Sequence, residues 1–391
     1  MTSAASTVDP VRLLSDLIRC ASVTPTEAGV FDVLEQALTP LGFAVTRLTF
    51  EGGGSYPVDN LFATRGASGP SNGPHLLFNG HTDVVPPGDR ALWTHEPFGA
   101  EITDDVLYGR GAVDMKSGIA AFVAALAEAP VDSRISLAIT NDEEADGING
   151  TARILEWATG QGHRFDFAIV GEPSATAKVG DSIKIGRRGS LNGRIVVNGI
   201  QGHVAYPHKA LNPLPIAAGL VGALSGTLDD GSEHFPASNL EFTSIDAGNT
   251  VTNVIPASVT LRFNVRFNDK WTPETLEDAV REGIESQDDE GCKVVFEIVG
   301  APSRSFLSPL GGGVEILSEV IAAQTGSAPE LSTGGGTSDA RFIAQYCPVV
   351  ECGLPGPTMH KADECVPLSD VRALTTLYGA FLRRFFGAAA A

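Results

Sequence analysis

His81 and Asp83 stand two residues apart, directly after an apolar stretch at 76–78, and this pair of residue types could serve a metal ion. Alternate residues of a β-strand point to the same side, so both side chains are expected to project in one direction. One can then bind a metal while the other accepts the second N–H of the imidazole and fixes its tautomer. Because a His-x-Asp pair by itself is more often a simple strand end, the inference depends on the rest of the chain.

Further residues that can bind a metal recur at the ends of predicted elements. They are Asp114 in a glycine-rich turn before the helix predicted at 119–129, Glu143 and Glu144 after the strand predicted at 135–140, Glu172 after the strand predicted at 165–170, and His360. Parallel α/β sheets bind ligands at the carboxyl ends of their strands. Two imidazoles and several carboxylates, with no thiolate among them, form the ligand set of a zinc-type hydrolase.

These stretches resemble the M20 family of co-catalytic zinc amidohydrolases and peptidases. The matching segments follow the family's order from about residue 10 to the C-terminus, so the resemblance covers nearly the whole chain. The segments are 80–86, 108–111, 114–116, 142–144, 171–174, 186–190, 199–208, 253–256, 334–339 and 360–361. The metal motifs identify only the family, whereas 187–190, 201–208 and 334–339 favour a member that removes a succinyl group.

The resemblance implies two zinc ions in each subunit, with Co²⁺ able to substitute at one site. It implies that the Asp114 carboxylate bridges the two ions. His81 and Glu172 would then be the other ligands of one ion, and Glu144 and His360 those of the second ion. Asp83 would orient the imidazole of His81. Glu143 is then left without an ion, beside a ligand. That position suits a general base that takes a proton from the bridging water and passes it to the leaving amine. Outside such a ligand set, adjacent glutamates would be a solvated acidic turn.

The implied reaction is hydrolysis of N-succinyl-L,L-2,6-diaminopimelate to L,L-2,6-diaminopimelate and succinate, in lysine and meso-diaminopimelate biosynthesis. The tetrahedral oxyanion needs a donor, and His203 is the candidate, delivered by domain closure or by a dimer partner. The alternative for His203 is a hydrogen-bonded histidine in a hairpin. A succinyl carboxylate calls for guanidinium, hydroxyl or amide donors. The resemblance implies that these contacts come from Arg187, Ser190, Tyr206, Asn253, Arg266, Gly336 and Thr337.

Two other functions stay open at this point. One is another M20 deacylase, such as an acetylornithine deacetylase, or a carboxypeptidase. The turn at 353–358 lacks an Asn expected of related desuccinylating enzymes, which leaves a substrate contact there open. The other is a non-catalytic binding protein on the same fold, against which the intact Glu143 and the full ligand set argue.

The length of 391 residues and the order of predicted elements indicate an α/β protein of two domains. The elements predicted between about 183 and 298 follow the order of a ferredoxin-like domain, which is strand, helix, two strands, helix and strand. We therefore predict a split catalytic domain of zinc-peptidase type at 1–188 and 302–391, with an inserted α+β dimerisation domain at 189–301. The edge strands of a small inserted sheet predict an isologous homodimer.

Composition narrows the possible partners. A net charge of −20 argues against nucleic acid, and no apolar run approaches the roughly 20 residues of a membrane span. The N-terminal residues lack the pattern of a signal peptide. Five cysteines without a Cys-x-x-Cys motif suit a reducing compartment. The expectation is a cytoplasmic enzyme with a small succinylated diamino acid as its substrate.

Overall fold

The computed structural model describes residues 8–66 and 73–387, which form two compact units. The first unit comprises Met1–Ile185, Ser308–Ser332 and Ser338–Ala391, and the second comprises Gly186–Leu307 and Thr333–Thr337. The second unit is therefore inserted into the chain of the first, and it also includes a short segment of the C-terminal part. The two ends of the predicted catalytic segments, 1–7 and 388–391, lie outside the described residues.

The strands are β1 Ala44–Gly52, β2 Ser55–Arg65, β3 His75–His81, β4 Glu101–Thr103, β5 Val106–Tyr108, β6 Arg134–Thr140, β7 Phe167–Val170, β8 Ser182–Lys184, β9 Gly186–Arg187, β10 Gly189–Asn198, β11 Gly202–His203, β12 Gly226–Thr227, β13 Asn239–Asp246, β14 Val254–Ile255, β15 Ser258–Phe267, β16 Lys293–Ser303, β17 Phe306–Leu307, β18 Glu330–Ser332, β19 Val349–Glu351 and β20 Cys365–Pro367. The helices are α1 Pro10–Arg19, α2 Val30–Leu38, α3 Ser117–Ala125, α4 Thr151–Gly160, α5 Pro213–Leu224, α6 Pro273–Glu285, α7 Gly313–Thr325, α8 Ala340–Ile343 and α9 Leu368–Gly387.

The first unit is built on a sheet of eight strands in the order β1-β2-β6-β3-β7-β19-β8-β18. Its centre is parallel, because β3 pairs in parallel with both β6 and β7, and β7 pairs in parallel with β19. Every residue of β3 is buried. A strand that is buried on both faces reads as a continuous apolar run, which is why the sequence shows no alternation there. The carboxyl ends of β6, β3 and β7 therefore lie side by side.

Helices pack on this sheet through their apolar residues. All nine residues of α3 are buried, and α3 packs against α1 and α9. The Phe122 ring of α3 stacks on Phe78 of β3 with ring centroids 4.0 Å apart. The sequence predicts a helix that starts at Pro10 with Asp9 as its cap, and α1 confirms it: Asp9 accepts the N–H groups of Val11 and Arg12, and Pro10 is the first helical residue.

The second unit is an α+β domain. Its main sheet has the order β12-β13-β15-β10-β16, and the neighbouring strands are antiparallel. Without the two-residue β12, the remaining strands β10, β13, β15 and β16 can be numbered 1 to 4 in chain order. Read from β16, the sheet order is then 4-1-3-2, the arrangement of a ferredoxin-like sheet. The sequence predicts helices at 213–224 and 273–285, and α5 and α6 have these bounds, each with a proline first and an Asn or Thr cap before it. The predicted fold class is confirmed.

Some elements differ from the predictions. The sequence predicts a helix over 27–41, but α2 begins at Val30, because the Glu27 carboxylate accepts the N–H groups of Gly29, just before the helix, and of Phe31, in its first turn. The sequence predicts a long β-rich stretch at 183–200, and the structure divides it into β8, β9 and β10, with the passage from one unit to the other between Ile185 and Gly186. A small sheet, β20-β5-β4, was not predicted. Within the described residues, no helix combines the length and apolar character that crossing a membrane requires.

Candidate active site

Three neighbouring parallel strands of the first unit end in residues that can bind a metal. His81 is the last residue of β3, Glu143 and Glu144 follow β6, and Glu172 follows β7. The hydrogen-bond ladder continues past the strand ends, because the N–H of Thr82 donates to Thr140 and that of Gly171 donates to Asn79. The segments that carry the candidate ligands are thus held together by backbone hydrogen bonds.

Asp114 lies between the two histidines. His81 Nε2 is 3.1 Å from Asp114 Oδ1 and 3.5 Å from Glu172 Oε1. His360 Nε2 is 3.2 Å from Asp114 Oδ2 and 3.0 Å from Glu144 Oε1. Each oxygen of Asp114 therefore faces a different histidine, and each histidine faces a further carboxylate. His81 is buried, whereas the His360 side chain is 45% exposed.

The electrostatics of these residues fit bound cations. Ligand atoms of His81, Asp114 and Glu144 lie within 4.8 Å of one another, and so do those of His81, Glu143 and Glu172. Burial, with Asp114 nearby, raises the pKa of Glu172 to about 8, and burial beside Glu172 raises the pKa of Glu143. Carboxylates crowded in this way stay ionised when a metal ion supplies the missing positive charge. Nitrogen and oxygen donors without thiolate suit zinc in a hydrolytic site.

Asp83 lies in the site, but its carboxylate makes contacts other than those expected. The His81 Nδ1 is 2.9 Å from the main-chain oxygen of Asp83 and 3.6 Å from its carboxylate Oδ1. The main-chain oxygen is therefore the group that orients the imidazole. The carboxylate instead accepts the N–H groups of Glu143 and Glu144, at 3.1 and 3.0 Å, and the Thr24 hydroxyl at 2.8 Å. Asp83 thus fixes the backbone of the Glu143–Glu144 turn.

The loop that carries Asp114 has an unusual backbone. Gly111 has a φ of +82°, Asp114 and Met115 have non-helical backbone angles, and the peptide between them is cis. The N–H of Asp114 donates to the buried Glu364 carboxylate at 3.2 Å. The Lys116 ammonium is fully buried and donates to the main-chain oxygens of Leu17 and Cys20, both at 3.0 Å. Glu364 and Lys116 were not singled out in the sequence, although each stands close to a predicted ligand.

Glycines let the backbone pack tightly around Glu172. A Cβ added at Gly118 would lie 2.2 Å from the Gly171 carbonyl oxygen, and one at Gly353 would lie 2.4 Å from that of Glu172. Larger residues would therefore displace the Gly171–Glu172 backbone. Ser174 adds a bond to this arrangement by accepting the Gly353 N–H at 3.0 Å. The turn at 353–358, where the sequence lacks the expected Asn, thus begins by packing on the Glu172 segment.

The predicted substrate-binding residues and His203 all belong to the second unit. They are Arg187, Ser190, His203, Tyr206, Asn253, Arg266, Gly336 and Thr337. Ser190 and Arg266 are register partners on β10 and β15. The buried Arg187 guanidinium donates to the main-chain oxygens of Gly334 and Gly336, at 3.2 and 3.0 Å. Arg187 thus organises the glycine-rich segment that precedes Thr337.

His203 lies in a short antiparallel ribbon formed by β11 and β14. The N–H of Val204 donates to the main-chain oxygen of Asn253, which fixes His203 close to Asn253. His203 is exposed, and its Nδ1 accepts the Ala205 N–H at 3.1 Å. A neutral imidazole with Nδ1 as acceptor carries its proton on Nε2. The Tyr206 ring lies 5.9 Å from that of His203, and the Lys209 ammonium lies 5.4 Å from the Tyr206 ring.

Two histidines and four carboxylates at the carboxyl edge of an α/β sheet define a metallohydrolase of the zinc-peptidase type. The sequence pattern described as peptidase family M20/M25/M40 matches residues 77–384. This chain belongs to that family, as its motifs predicted.

Similar sequences cover nearly the whole chain. A succinyl-diaminopimelate desuccinylase of Methylorubrum populi is 50% identical over 384 residues, which are 96% of this chain and 98% of the relative. A succinyl-diaminopimelate desuccinylase of Rhodopseudomonas palustris is 49% identical over 388 residues, which are 97% of this chain and 99% of the relative.

Solved structures with low sequence identity share the fold. An M20 family metallo-carboxypeptidase of Sulfolobus solfataricus is 16% identical with a TM-score of 0.77, covering 96% of this chain and 99% of its own. An aminopeptidase of Bacillus cereus is 21% identical with a TM-score of 0.77, covering 97% and 100%. A dinuclear metal-binding M20 peptidase of Bacillus subtilis is 16% identical with a TM-score of 0.67, covering 95% and 96%.

Proposed function

We propose that this chain hydrolyses N-succinyl-L,L-2,6-diaminopimelate to L,L-2,6-diaminopimelate and succinate. The observation that carries the proposal is the position of Asp114, which presents one oxygen to His81 and the other to His360. A carboxylate shared in this way suits two cations a few ångströms apart. The choice of substrate is supported by relatives of about 50% identity along the whole chain that are named succinyl-diaminopimelate desuccinylases.

Zinc is the proposed metal, with two ions per subunit and Co²⁺ able to replace one of them. His81 and Glu172 would hold one ion, Glu144 and His360 would hold the other, and Asp114 would bridge them. When bound, such a pair supplies Lewis-acid polarisation of the scissile carbonyl and a lowered pKa for water. The protein's own part is to hold these five side chains in place on the strand ends.

Glu143 is the proposed general base. Its backbone is fixed by the Asp83 carboxylate, and burial beside Glu172 raises the pKa of its side chain. A carboxylate with a raised pKa can take a proton from the attacking water and then release it to the leaving amine. Both transfers are needed, because the reaction adds hydroxide to the carbonyl and a proton to the nitrogen.

The second unit would supply substrate binding. Arg266 and Ser190, on neighbouring strands, offer a guanidinium and a hydroxyl to a carboxylate of the substrate. His203 would donate its Nε2–H to the oxyanion, since its Nδ1 already accepts a backbone N–H. Gly336 and Thr337, with Tyr206 and Asn253, complete the proposed contacts.

We propose a homodimer in which His203 serves the site of the partner subunit. Strand β16, which has eleven residues, is an edge of the second unit's sheet, and its Val295 and Val299 are 39% and 40% exposed. A long edge strand with exposed apolar side chains favours pairing with another chain. The proposal places the enzyme in a reducing compartment such as the cytoplasm, because all five cysteines are free.

Identifying the products tests the reaction. Zinc-loaded protein incubated with N-succinyl-L,L-2,6-diaminopimelate should release succinate and L,L-2,6-diaminopimelate in equal amounts, measured by mass spectrometry. A chelator should stop the release, and added zinc should restore it. Failure of the zinc-loaded protein to form either product would refute the proposal.

A further inference from the structure

The buried carboxylate of Glu364 binds the loop that carries Asp114. Its Oε1 accepts the N–H groups of Val113 and Asp114, at 2.8 and 3.2 Å. Its Oε2 accepts the N–H of Gly111 at 3.0 Å and Nη1 of Arg110 at 2.7 Å. The side chain is 0% exposed, so these contacts are made away from solvent. One carboxylate thus accepts four donors, three main-chain and one side-chain, from a loop that is distant in sequence.

The contacts around Glu364 make this arrangement rigid. Its main-chain oxygen accepts the Gly109 N–H at 2.8 Å, which binds the start of the same loop. Arg110 is 2% exposed, and its guanidinium lies 5.1 Å from the Trp93 ring centroid. Hydrogen bonds to a buried carboxylate are shorter and stronger than those between neutral groups. The loop therefore has little freedom to shift relative to Glu364.

Glu364 also belongs to the turn that carries His360. The Thr358 hydroxyl donates to the main-chain oxygen of Cys365 at 3.1 Å and accepts its N–H at 3.2 Å, so the turn is closed across His360. The φ of His360 is +61°, a conformation that the turn must maintain. The segment from Thr358 to Cys365 thus holds one proposed ligand directly and binds the backbone of another through Glu364.

We infer that Glu364 is a positioning residue for the metal centre, which sets Asp114 opposite His360 by accepting the N–H groups of the Asp114 loop. A carboxylate that served only the ion pair with Arg110 would not need to bind the N–H of Asp114 itself. Because that N–H belongs to the residue that presents its oxygens to both histidines, a shift of the loop changes both distances. The role is comparable to that of side chains behind metal ligands, whose loss typically reduces metal affinity by about 10- to 100-fold.

This inference rests on the proposed metal site and not on the substrate. It is therefore tested by zinc binding to metal-free protein without any substrate. Glu364→Gln keeps the size of the side chain but places an NH₂ group where an oxygen accepts donors. The matched control is Asp229→Asn in the second unit, because Asp229 also accepts backbone N–H groups, those of Gly231 and Ser238. Both variants should lower thermal stability.

Zinc affinity should separate the two variants. Titration with a competing chelator should show that Glu364→Gln binds at least one zinc equivalent about 10- to 100-fold more weakly, while Asp229→Asn binds both as the wild type does. With zinc restored to saturation, Glu364→Gln should lose kcat with little change in KM. Wild-type affinity for both equivalents in a folded Glu364→Gln protein would overturn the inference, whatever the turnover of the wild type.

A second variant tests the same inference if the Glu364→Gln protein does not fold. Arg110→Met together with Glu364→Met removes both buried charges at once, which avoids leaving an unpaired charge in the interior. The acceptor for the Asp114 N–H is still lost in this double variant. Its zinc affinity should fall by the same 10- to 100-fold, and unchanged binding of both equivalents would contradict the positioning role.

Discussion

The Nε2 of His360 lies 3.2 Å from Oδ2 of Asp114, although the two residues come from opposite ends of the first unit's chain. His360 follows the inserted unit, whereas Asp114 precedes it. The ion proposed for Glu144 and His360 would therefore be held between two separate parts of the chain. This ion should be the more sensitive of the two to changes at His360.

Replacing His360 by Ala should weaken one zinc ion and leave the other bound. The reason is that His81, Glu172 and Asp114 still supply three ligands. Metal analysis after dialysis should give close to one zinc per chain, with a much reduced kcat. Glu172→Ala is the matched variant and should also retain one ion. Loss of both ions in His360→Ala would contradict the proposed division of ligands.

Replacing Glu143 by Gln should abolish turnover without removing metal. The substitution deletes the group that transfers protons but none of the five ligands, so we expect kcat to fall by at least about 100-fold. Two zinc ions per chain should remain. A protein that binds fewer ions than the wild type would show that Glu143 is a ligand instead.

The grouping of the proposed ligands at one edge of the sheet could be predicted, because the apolar residues stop where each central strand of the parallel sheet ends. His81, Glu144 and Glu172 stand at such ends, and a parallel sheet brings its carboxyl ends to one edge. The contact of Asp83 could not be predicted in detail. A His-x-Asp pair does not show whether the carboxylate or the main-chain oxygen reaches the imidazole, and here it is the main-chain oxygen at 2.9 Å.

Glu364 could not be recognised as a partner of Arg110 from the sequence. The two residues are 254 positions apart, and no local pattern links two single charges over such a distance. Similarly, Gly and polar residues interrupt the β-rich stretch at 183–200 in several places, so the sequence does not single out Ile185 as the passage between units. These features depend on tertiary packing and not on local periodicity.

Acidification should destabilise the protein through His75. This histidine is 2% exposed, and burial together with Arg134 lowers its pKa from 6.5 to about 4. Its neutral ring can donate from Nδ1 to the Arg164 oxygen and accept at Nε2 from the Ser136 hydroxyl, both at 2.8 Å. The unfolded chain takes up a proton at higher pH than the folded one. The stability contributed by the neutral ring is thus present above pH 6.5 and is lost as pH falls towards 4, by roughly 3 kcal/mol in total.

Comparing variants isolates this contribution. The free energy of unfolding measured in denaturant between pH 7 and pH 4 should fall less steeply in His75→Gln than in the wild type. His208→Gln, at an exposed histidine, is the control and should follow the wild-type slope. Equal slopes in all three proteins would contradict the assignment to His75.

Mixing two inactive variants tests whether His203 acts across a dimer. His203→Ala should lower kcat by about 100- to 1000-fold, as loss of an oxyanion donor does. A heterodimer with Glu143→Gln would contain one site with an intact Glu143 and a His203 from the partner. Activity should then rise well above that of either parent. If subunit exchange is demonstrated and no activity returns, His203 acts within its own chain or has no part in the reaction.

The substrate preference of the zinc-loaded enzyme tests the central proposal most directly. We would measure kcat/KM side by side for N-succinyl-L,L-2,6-diaminopimelate, N-acetylornithine and a dipeptide, with the zinc content of the same sample determined. A site that binds the succinyl carboxylate should favour the succinylated substrate by at least about 100-fold, because the other substrates leave its donors unpaired. A higher kcat/KM for N-acetylornithine or for the dipeptide would contradict the proposed function.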